Sequence, residues 1–220
     1  MTEYGDQVTG LLLAAGGGRR LGGRPKALLE HRGRTLAEHA VRALRASGCA
    51  RVHVVVGARA DTVRARAALD EWDGPDGPDG PDGMDGLDGR DECVLVDNPD
   101  WERGMGTSLR AGLDSLAGTG ARAALVCLVD QPGIGAAAMA RVRAAFRDET
   151  SLVSAAYDGV RGHPVLLGAA HWAGVTATAT GDRGARAYLK EHAGQLTLVE
   201  CADVAQPYDI DTEADLGHLE

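Results

Sequence analysis

The feature that most constrains this chain is the point at which the apolar run VTGLLLAA, Val8 to Ala15, breaks into GGGRRLGGRPK. A run of four to eight apolar residues bounded by glycine fits a strand covered on both faces, as in a parallel sheet. Such a strand needs helices above and below it, and the glycine-rich loop at its end marks a binding edge. Arg19, Arg20, Arg24 and Lys26 follow within a dozen residues, so the loop is expected to face an anion.

The rest of the chain alternates in the way that strand requires. TLAEHAVRALRASG opens with a capping box, Thr35 and Glu38, and stops at Gly48. RVHVVVG reads as a strand, DTVRARAAL as a helix and CVLV as a strand. TSLRAGLDSLAG is a helix opened by Thr107 or Ser108, AALVCLVD a buried strand ending at Asp130, and AAAMARVRAAF a helix. SLVSAAYDGVRGHPVLL carries a hairpin signal at Asp158-Gly159, and GARAYLKEHA is a helix before the strand QLTLVE. The pattern predicts an α/β fold: one three-layer α/β/α domain with a Rossmann-like, mostly parallel sheet and a late antiparallel hairpin. Ligands in such sheets bind beyond the carboxyl ends of the strands, where 16–26, 98–108 and 130–133 all fall.

At 220 residues one domain of ordinary size accounts for the chain, and it buries roughly 70% of its unfolded surface. The net charge of −9 has a local source. From Asp70 to Glu92 there are ten acids against Arg90 alone, which leaves 22 cations and 22 anions elsewhere. That segment, about 71–91, places glycine at every third position from Gly74 to Gly89. Collagen is a poor reading, since aspartate at nearly every third position would repel in a trimer. An acidic insertion of glycine, proline and aspartate, unable to bury apolar surface and disordered for that reason, fits better. Aromatic content of 4% and a neutral body offer neither a stacking platform nor a cationic face, so no nucleic acid is expected as partner. No apolar run approaches the ~20 residues that span a bilayer, and no charged leader opens the chain; a cytoplasmic protein with no membrane partner is expected. Cys49, Cys93, Cys127 and Cys201 lack CxxC spacing, which argues against a disulfide or a structural metal.

The opening loop fits neither common phosphate cradle. A dinucleotide fingerprint wants G-x-G-x-x-G, but after Gly16 and Gly18 the next glycine, Gly22, comes one residue late. A Walker loop has the spacing of Gly17 and Gly22, but Gly23 and Arg24 stand where lysine and a hydroxyl belong. What remains is an extended loop whose bare amides can face anionic oxygens, followed by four cations, and this favours a polyphosphate.

These residues resemble a known family. LAAGGGRRLGGRPKALL is similar to the LAAGxSxRMGxxK signature of the MobA-like nucleotidyltransferases, and most of all to their molybdenum cofactor cytidylyltransferase (MocA-like) branch. The likeness continues in order through NPDWERGMGTSLRAGL, LVDQP, GHPVLL, GDRGAR and DIDTEADL, covering nearly the whole chain outside the insertion. It implies a nucleotidyltransferase domain over 1–220 that moves CMP from CTP to a phosphorylated acceptor, molybdopterin, with Mg2+ and release of pyrophosphate. It further implies nucleotide contacts at Leu13, Ala14, Ala15, Gly16, Gly17 and Gly18 and at Ser108, and catalytic roles for Arg20, Lys26 and Asp130. Arg20 and Lys26 would neutralise the triphosphate. Asp130 would hold the metal with a second carboxylate, Asp211, Asp209 or Asp182, and the acceptor pocket would use Gln131, Pro132, His163 and Asp182. A molybdoenzyme would be the protein partner. For any single aspartate a turn or a helix cap is the competing role, as with Asp211 or Thr212 before the last helix.

Ala14-Ala15-Gly16 matches the cytidylyl type, where the guanylyl type carries LAGG. Gly18 departs from the family serine and Leu21 from its methionine. Three alternatives stay open: a nucleotidyltransferase for another NTP or acceptor, such as a methylerythritol, sugar or lactyl phosphate; a nucleotide-dependent oxidoreductase on the same fold; and a non-catalytic cofactor binder.

Overall fold

A computed structural model describes residues 7–66 and 92–219. The acidic segment read at about 71–91 lies outside the described residues, as does the end of the predicted helix that precedes it. The chain runs β1 (Val8–Leu13), two single 3-10 turns (Arg19–Leu21 and Lys26–Leu28), a small hairpin of β2 (Glu30–His31) and β3 (Arg34–Thr35), α1 (Leu36–Ala46), β4 (Arg51–Val56) and α2 (Ala60–Arg66). Then come β5 (Glu92–Asp97), a 3-10 turn (Trp101–Arg103), α3 (Met105–Ser115), β6 (Ala123–Leu128), α4 (Ala136–Ala144), β7 (Leu152–Tyr157) and β8 (Val160–Gly168). The chain finishes with α5 (Ala169–Thr178), a 3-10 turn (Gly181–Arg183), α6 (Arg186–Glu191), β9 (Thr197–Glu200) and a 3-10 segment (Glu213–Leu219).

Seven strands form one sheet in the order β5-β4-β1-β6-β8-β7-β9. β8 runs against both its neighbours, and the other six strands share one direction. β1 is flanked by β4 and β6, so its apolar run is explained by burial on both faces. Alternate residues feed opposite cores. Leu12 packs with Val54, Leu125, Leu44 of α1 and Val142 of α4, whereas Leu11 packs with Val55, Val126, Leu113 of α3, Val175 of α5 and Leu189 of α6.

The strand order also fixes where a ligand can sit. From β1 the chain winds outward through β4 to β5, then returns to the other side of β1 as β6. That reversal opens a crevice beyond the carboxyl ends of β1 and β6. Leu13 pairs with Leu128, so the glycine loop and Asp130 emerge side by side.

Local chemistry was read correctly where it is self-contained. Thr35 Oγ1 accepts from the Glu38 amide at 3.2 Å, and Glu38 Oε2 accepts from the Thr35 amide at 2.7 Å. Thr35→Ala is therefore expected to destabilise the protein by about 1 kcal/mol, read as a lower urea midpoint at unchanged slope. Asp158 (φ 52) and Gly159 (φ 78) form the left-handed pair that joins β7 to β8.

Several boundaries moved. α3 begins at Met105 rather than at Thr107 or Ser108, because the buried Asn98 side chain takes both hydroxyls, donating to Thr107 Oγ1 at 2.9 Å and Ser108 Oγ at 3.0 Å. β6 ends at Leu128, two residues before Asp130. The sequence reading missed α5, whose AAHWAGVTAT has no charged face to give a 3.6-residue period. That helix is anchored by tertiary bonds instead: Trp172 Nε1 donates to Leu167 O at 2.9 Å, and His171 bonds Tyr188 Oη at 2.9 Å. It also missed the two-residue strands β2 and β3, too short to show a period. All four cysteines are free thiols. No described helix is long and apolar enough to cross a membrane.

Candidate active site

The glycine loop is a defined structure, held from both ends. Ala14 N–H donates to Val55 O at 2.9 Å and Ala58 N–H to Ala15 O at 3.0 Å. Gly18 O accepts from the Leu21 amide at 2.8 Å and the Gly23 amide at 3.0 Å, in a turn whose Arg19 and Arg20 border the crevice. Two glycines are required by space. A Cβ on Gly17 would fall 2.8 Å from the Trp101 ring, and one on Gly18, at φ 61, would fall 1.8 Å from the Arg24 carbonyl oxygen.

At the floor of the crevice Lys26 joins three distant parts of the chain. Its Nζ donates to Asp130 Oδ2 at 2.6 Å and to Asp211 Oδ1. Burial works against its charge, but Asp130 and then Asp211 more than offset this and raise its pKa above the ordinary lysine value. The ammonium thus stays charged across the physiological range. Arg20 Nη1 lies 3.7 Å from Asp211 Oδ2 and is largely exposed, free to meet a ligand from the solvent side. The segment carrying Asp211 is docked by its backbone, since Ile210 N–H donates to Asp130 O at 2.8 Å.

The competing role for Asp211, capping the last turn, falls to Asp215 instead. Its Oδ2 accepts from the Asp211 amide at 3.0 Å and the Thr212 amide at 2.7 Å, which leaves the Asp211 carboxylate to face Lys26. Asp209 accepts from Gln131 Nε2 at 2.8 Å; partial burial, with Asp130 and Asp211 close by, raises its pKa.

Around this centre lies a cleft of about 450 Å³. Leu13, Ala15, Gly16, Gly17, Lys26 and Asp130 border it, as do Arg20, Ser108 and Asp182. Ala14 does not: its methyl packs into the core with Leu12 and Val54. Gly18 shapes the turn from behind the lining. Asp182, read with the acceptor pocket from the sequence, borders this cleft, because the Gly181–Arg183 turn packs directly on Gly104 at the start of α3.

Pro132 lies in a smaller cavity with His39 and Met139, between α1 and α4. Gln131 and His163 border both that cavity and a third of about 550 Å³, which shares Leu13 and Met105 with the 450 Å³ cleft. Burial, helped by the nearby Arg186 and Arg161 guanidiniums, pushes the His163 pKa down to about 4, so its imidazole is neutral at pH 7.

Trp101, Gly104 and Met105 also border the cleft, although the sequence reading gave them no individual role. Their signal was the block NPDWERGMGTS, whose glycines and tryptophan show no periodicity. Asn98 organises this block from beneath: it is buried, donates to both hydroxyls and accepts from the Asp100 amide at 3.1 Å. Asn98→Ala orphans these groups and is expected to cost about 2 kcal/mol, with a raised KM for nucleotide; a thermal melt and a nucleotide titration check both effects.

Among the described residues no three metal-binding side chains cluster together. Asp130 and Asp211 nevertheless suit a magnesium ion, which takes only one or two carboxylates and fills its other positions with phosphate oxygens and water.

Comparison with known proteins agrees with this fold. Residues 10–196 match the MobA-like NTP transferase domain. The nicotine blue oxidoreductase of Paenarthrobacter nicotinovorans is 39% identical over 219 residues, covering 96% of each chain. The Rv0371c protein of Mycobacterium tuberculosis, solved in complex with manganese, is 26% identical with TM-score 0.65 over 97% of each chain. A nucleotidyl transferase from Methanothermobacter has TM-score 0.71 at 22% identity, covering 96% of this chain and 95% of its own, a likeness of fold.

Proposed function

The chain belongs to the MobA-like NTP transferase family, and from that premise we propose that it moves CMP from CTP to a phosphorylated pterin-type acceptor, molybdopterin, releasing pyrophosphate in a Mg2+-dependent reaction. The observation that carries the reading is the Lys26 ammonium held between Asp130 and Asp211 at the mouth of a glycine loop. The bare amides of Gly16 and Gly17 face the triphosphate, while Arg20 and Lys26 cancel its charge. An acceptor phosphomonoester has a second pKa near 6 and arrives mostly ionised, so no strong general base is needed. One acceptor oxygen forms a bond to the α-phosphorus as the bond to the bridging oxygen of pyrophosphate breaks. Lys26 and Arg20 stabilise the charge that collects on the leaving group. Asp130 and Asp211 are the residues that would hold a magnesium ion, which would supply further positive charge at the phosphates.

Ala15 borders the cleft, and alanine at this position narrows the space beside the base and disfavours a purine, a difference worth only ~1–3 kcal/mol. A molybdoenzyme that receives the finished cofactor is the protein partner this reading entails.

A second reading has an observation of its own. The 39% identical relative over 96% of both chains bears the name nicotine blue oxidoreductase, so the cleft could instead hold a nicotinamide nucleotide that reduces an aromatic substrate. One experiment separates the two. Purified protein is given Mg2+ and CTP, GTP, ATP or UTP, with and without reduced molybdopterin, and pyrophosphate is measured. Release with CTP that requires the pterin and is lost in Asp130→Ala is the expected result. No release with any nucleotide, together with consumption of NADH or NADPH in the presence of an aromatic acceptor, overturns it.

A further inference from the structure

Two groups of residues line the cleft of about 450 Å³, and they suit different parts of a nucleotide. Arg19, Arg20 and Lys26, from the segment after β1, suit phosphates. The other group comes from the start of α3 and the turns beside it, and it carries two carboxylates, Glu102 and Asp182. Arg103, the cation in that group, lies 3.5 Å from Asp100. Carboxylates repel a triphosphate, so the end of the cleft that holds Asp182 takes the uncharged part of the ligand.

Asp182 has a defined place there. A Cβ on Gly104, at φ 106, would fall 2.7 Å from Asp182 Oδ1 and 2.5 Å from the Gly181 carbonyl carbon, so glycine at 104 is what lets the turn and its carboxylate rest at the start of α3. A cap for that helix would be the simpler role, but α3 has no side-chain cap. Among the described residues Asp182 is exposed and has neither an ion pair nor a hydrogen bond, which leaves its oxygens free to accept from a ligand. The rest of this wall is aromatic and apolar. Trp101 lies across two glycines, since a Cβ on Gly57 would fall 2.6 Å from its Cβ and one on Gly17 2.8 Å from its ring, and Leu13 and Met105 border the same cleft. A flat heterocycle with a donor on its edge matches a wall of this kind.

We propose that Asp182 is a specificity-determining residue for the base of the bound nucleotide: its carboxylate accepts from an exocyclic amino group, so that the cleft selects cytosine over uracil. This rests on the nucleotide reading of the cleft, but neither on the transfer step nor on the acceptor. Cytosine presents an N4 amino donor where uracil presents the O4 carbonyl. An ionised carboxylate only accepts, so it bonds the first and repels the second. Adenine also bears an amino group, and its exclusion is left to the space beside Ala15.

The test is a calorimetric titration of the full chain with CTP and with UTP, in the presence of Mg2+ and without any acceptor, so that no turnover is needed. The wild-type protein is expected to bind CTP at least about tenfold more tightly than UTP. Asp182→Asn puts an amide donor in a group of the same shape, able to meet O4, and should bring the ratio to within about threefold, mainly by tightening UTP. An unchanged thermal melt is expected of this exposed substitution and shows that the variant is folded. Glu102→Gln should leave the ratio as it is. A wild-type ratio near one, a ratio unchanged in Asp182→Asn, a ratio that moves with Glu102→Gln instead, or no binding of either nucleotide by the folded protein would each overturn the proposal. So would a discrimination against dCTP that vanishes in Asp182→Asn, because the carboxylate would then be reading a ribose hydroxyl. If the ratio depends on Asp182 but no acceptor yields pyrophosphate, the transfer reading falls and the base contact stands. Pyrophosphate release from CTP and UTP alike, by both the wild type and Asp182→Asn, leaves the transfer reading and removes the base contact.

Discussion

Lys26→Ala is expected to lower kcat for nucleotidyl transfer by about 10²–10³-fold, the usual loss when one preorganised electrostatic group is removed from a transition state. In the ground state Lys26 already sits between two carboxylates at hydrogen-bond distance, so little reorganisation is needed when charge appears on pyrophosphate. Arginine is a poor replacement, because a planar fork cannot reproduce a point charge shared by Asp130 and Asp211. The effect on stability should be small and flat from about pH 6 to 8. The folded pKa of Lys26 is raised, so its contribution to stability is fully present below the unfolded lysine value near 10.4 and is lost only as pH climbs through the folded value. Single-turnover rates and urea melts at pH 6, 7 and 8 check both halves; a parallel collapse of stability and rate would assign Lys26 a structural role.

Gly18→Ser, which installs the serine common in the resembling motif, should damage this protein rather than improve it. At φ 61 any side chain pays left-handed strain, and here its Cβ would fall 1.8 Å from the Arg24 carbonyl oxygen, so the backbone itself must move. A loss of about 2–3 kcal/mol is expected, with a rise in nucleotide KM as the Arg20 and Lys26 segment shifts. Gly22→Ala is the control. It shares the left-handed backbone, φ 66, but no atom lies within 4 Å of its Cβ, so it should cost only about 1 kcal/mol. If Gly18→Ser is as stable as the wild type and binds nucleotide more tightly, the loop follows a different path from the one described.

The contrast between these residues shows how legible the site was in one dimension. Lys26 and Asp130 could be chosen from the motifs around them, but the chain separates them by 104 residues and separates Lys26 from Asp211 by 185. Motif likeness offers both Asp211 and Asp182 as the second carboxylate, and the two residues have different surroundings in space. Asp211 faces Lys26 and Arg20, while Asp182 borders the far side of the same cleft near Gly104. Ser108 was placed on the nucleotide side and does border the cleft, yet its Oγ is already engaged by Asn98, a partner ten residues earlier that no periodicity signals.

What the sequence by itself determined is what short-range chemistry decides. The buried strand at Val8–Leu13, the capping box of Thr35 and Glu38, the left-handed turn at Asp158-Gly159 and the glycine loop beyond a strand end all depend on neighbours within a few residues. Side-chain period and backbone freedom act at that range. Only the tertiary structure decided which carboxylate joins Lys26, why Gly18 tolerates no side chain, and that Asp182 rests against Gly104 at the cleft. Those facts follow from the order in which strands enter the sheet: the reversal between β1 and β6 sets remote loops side by side, and close packing then allows each one only a single shape.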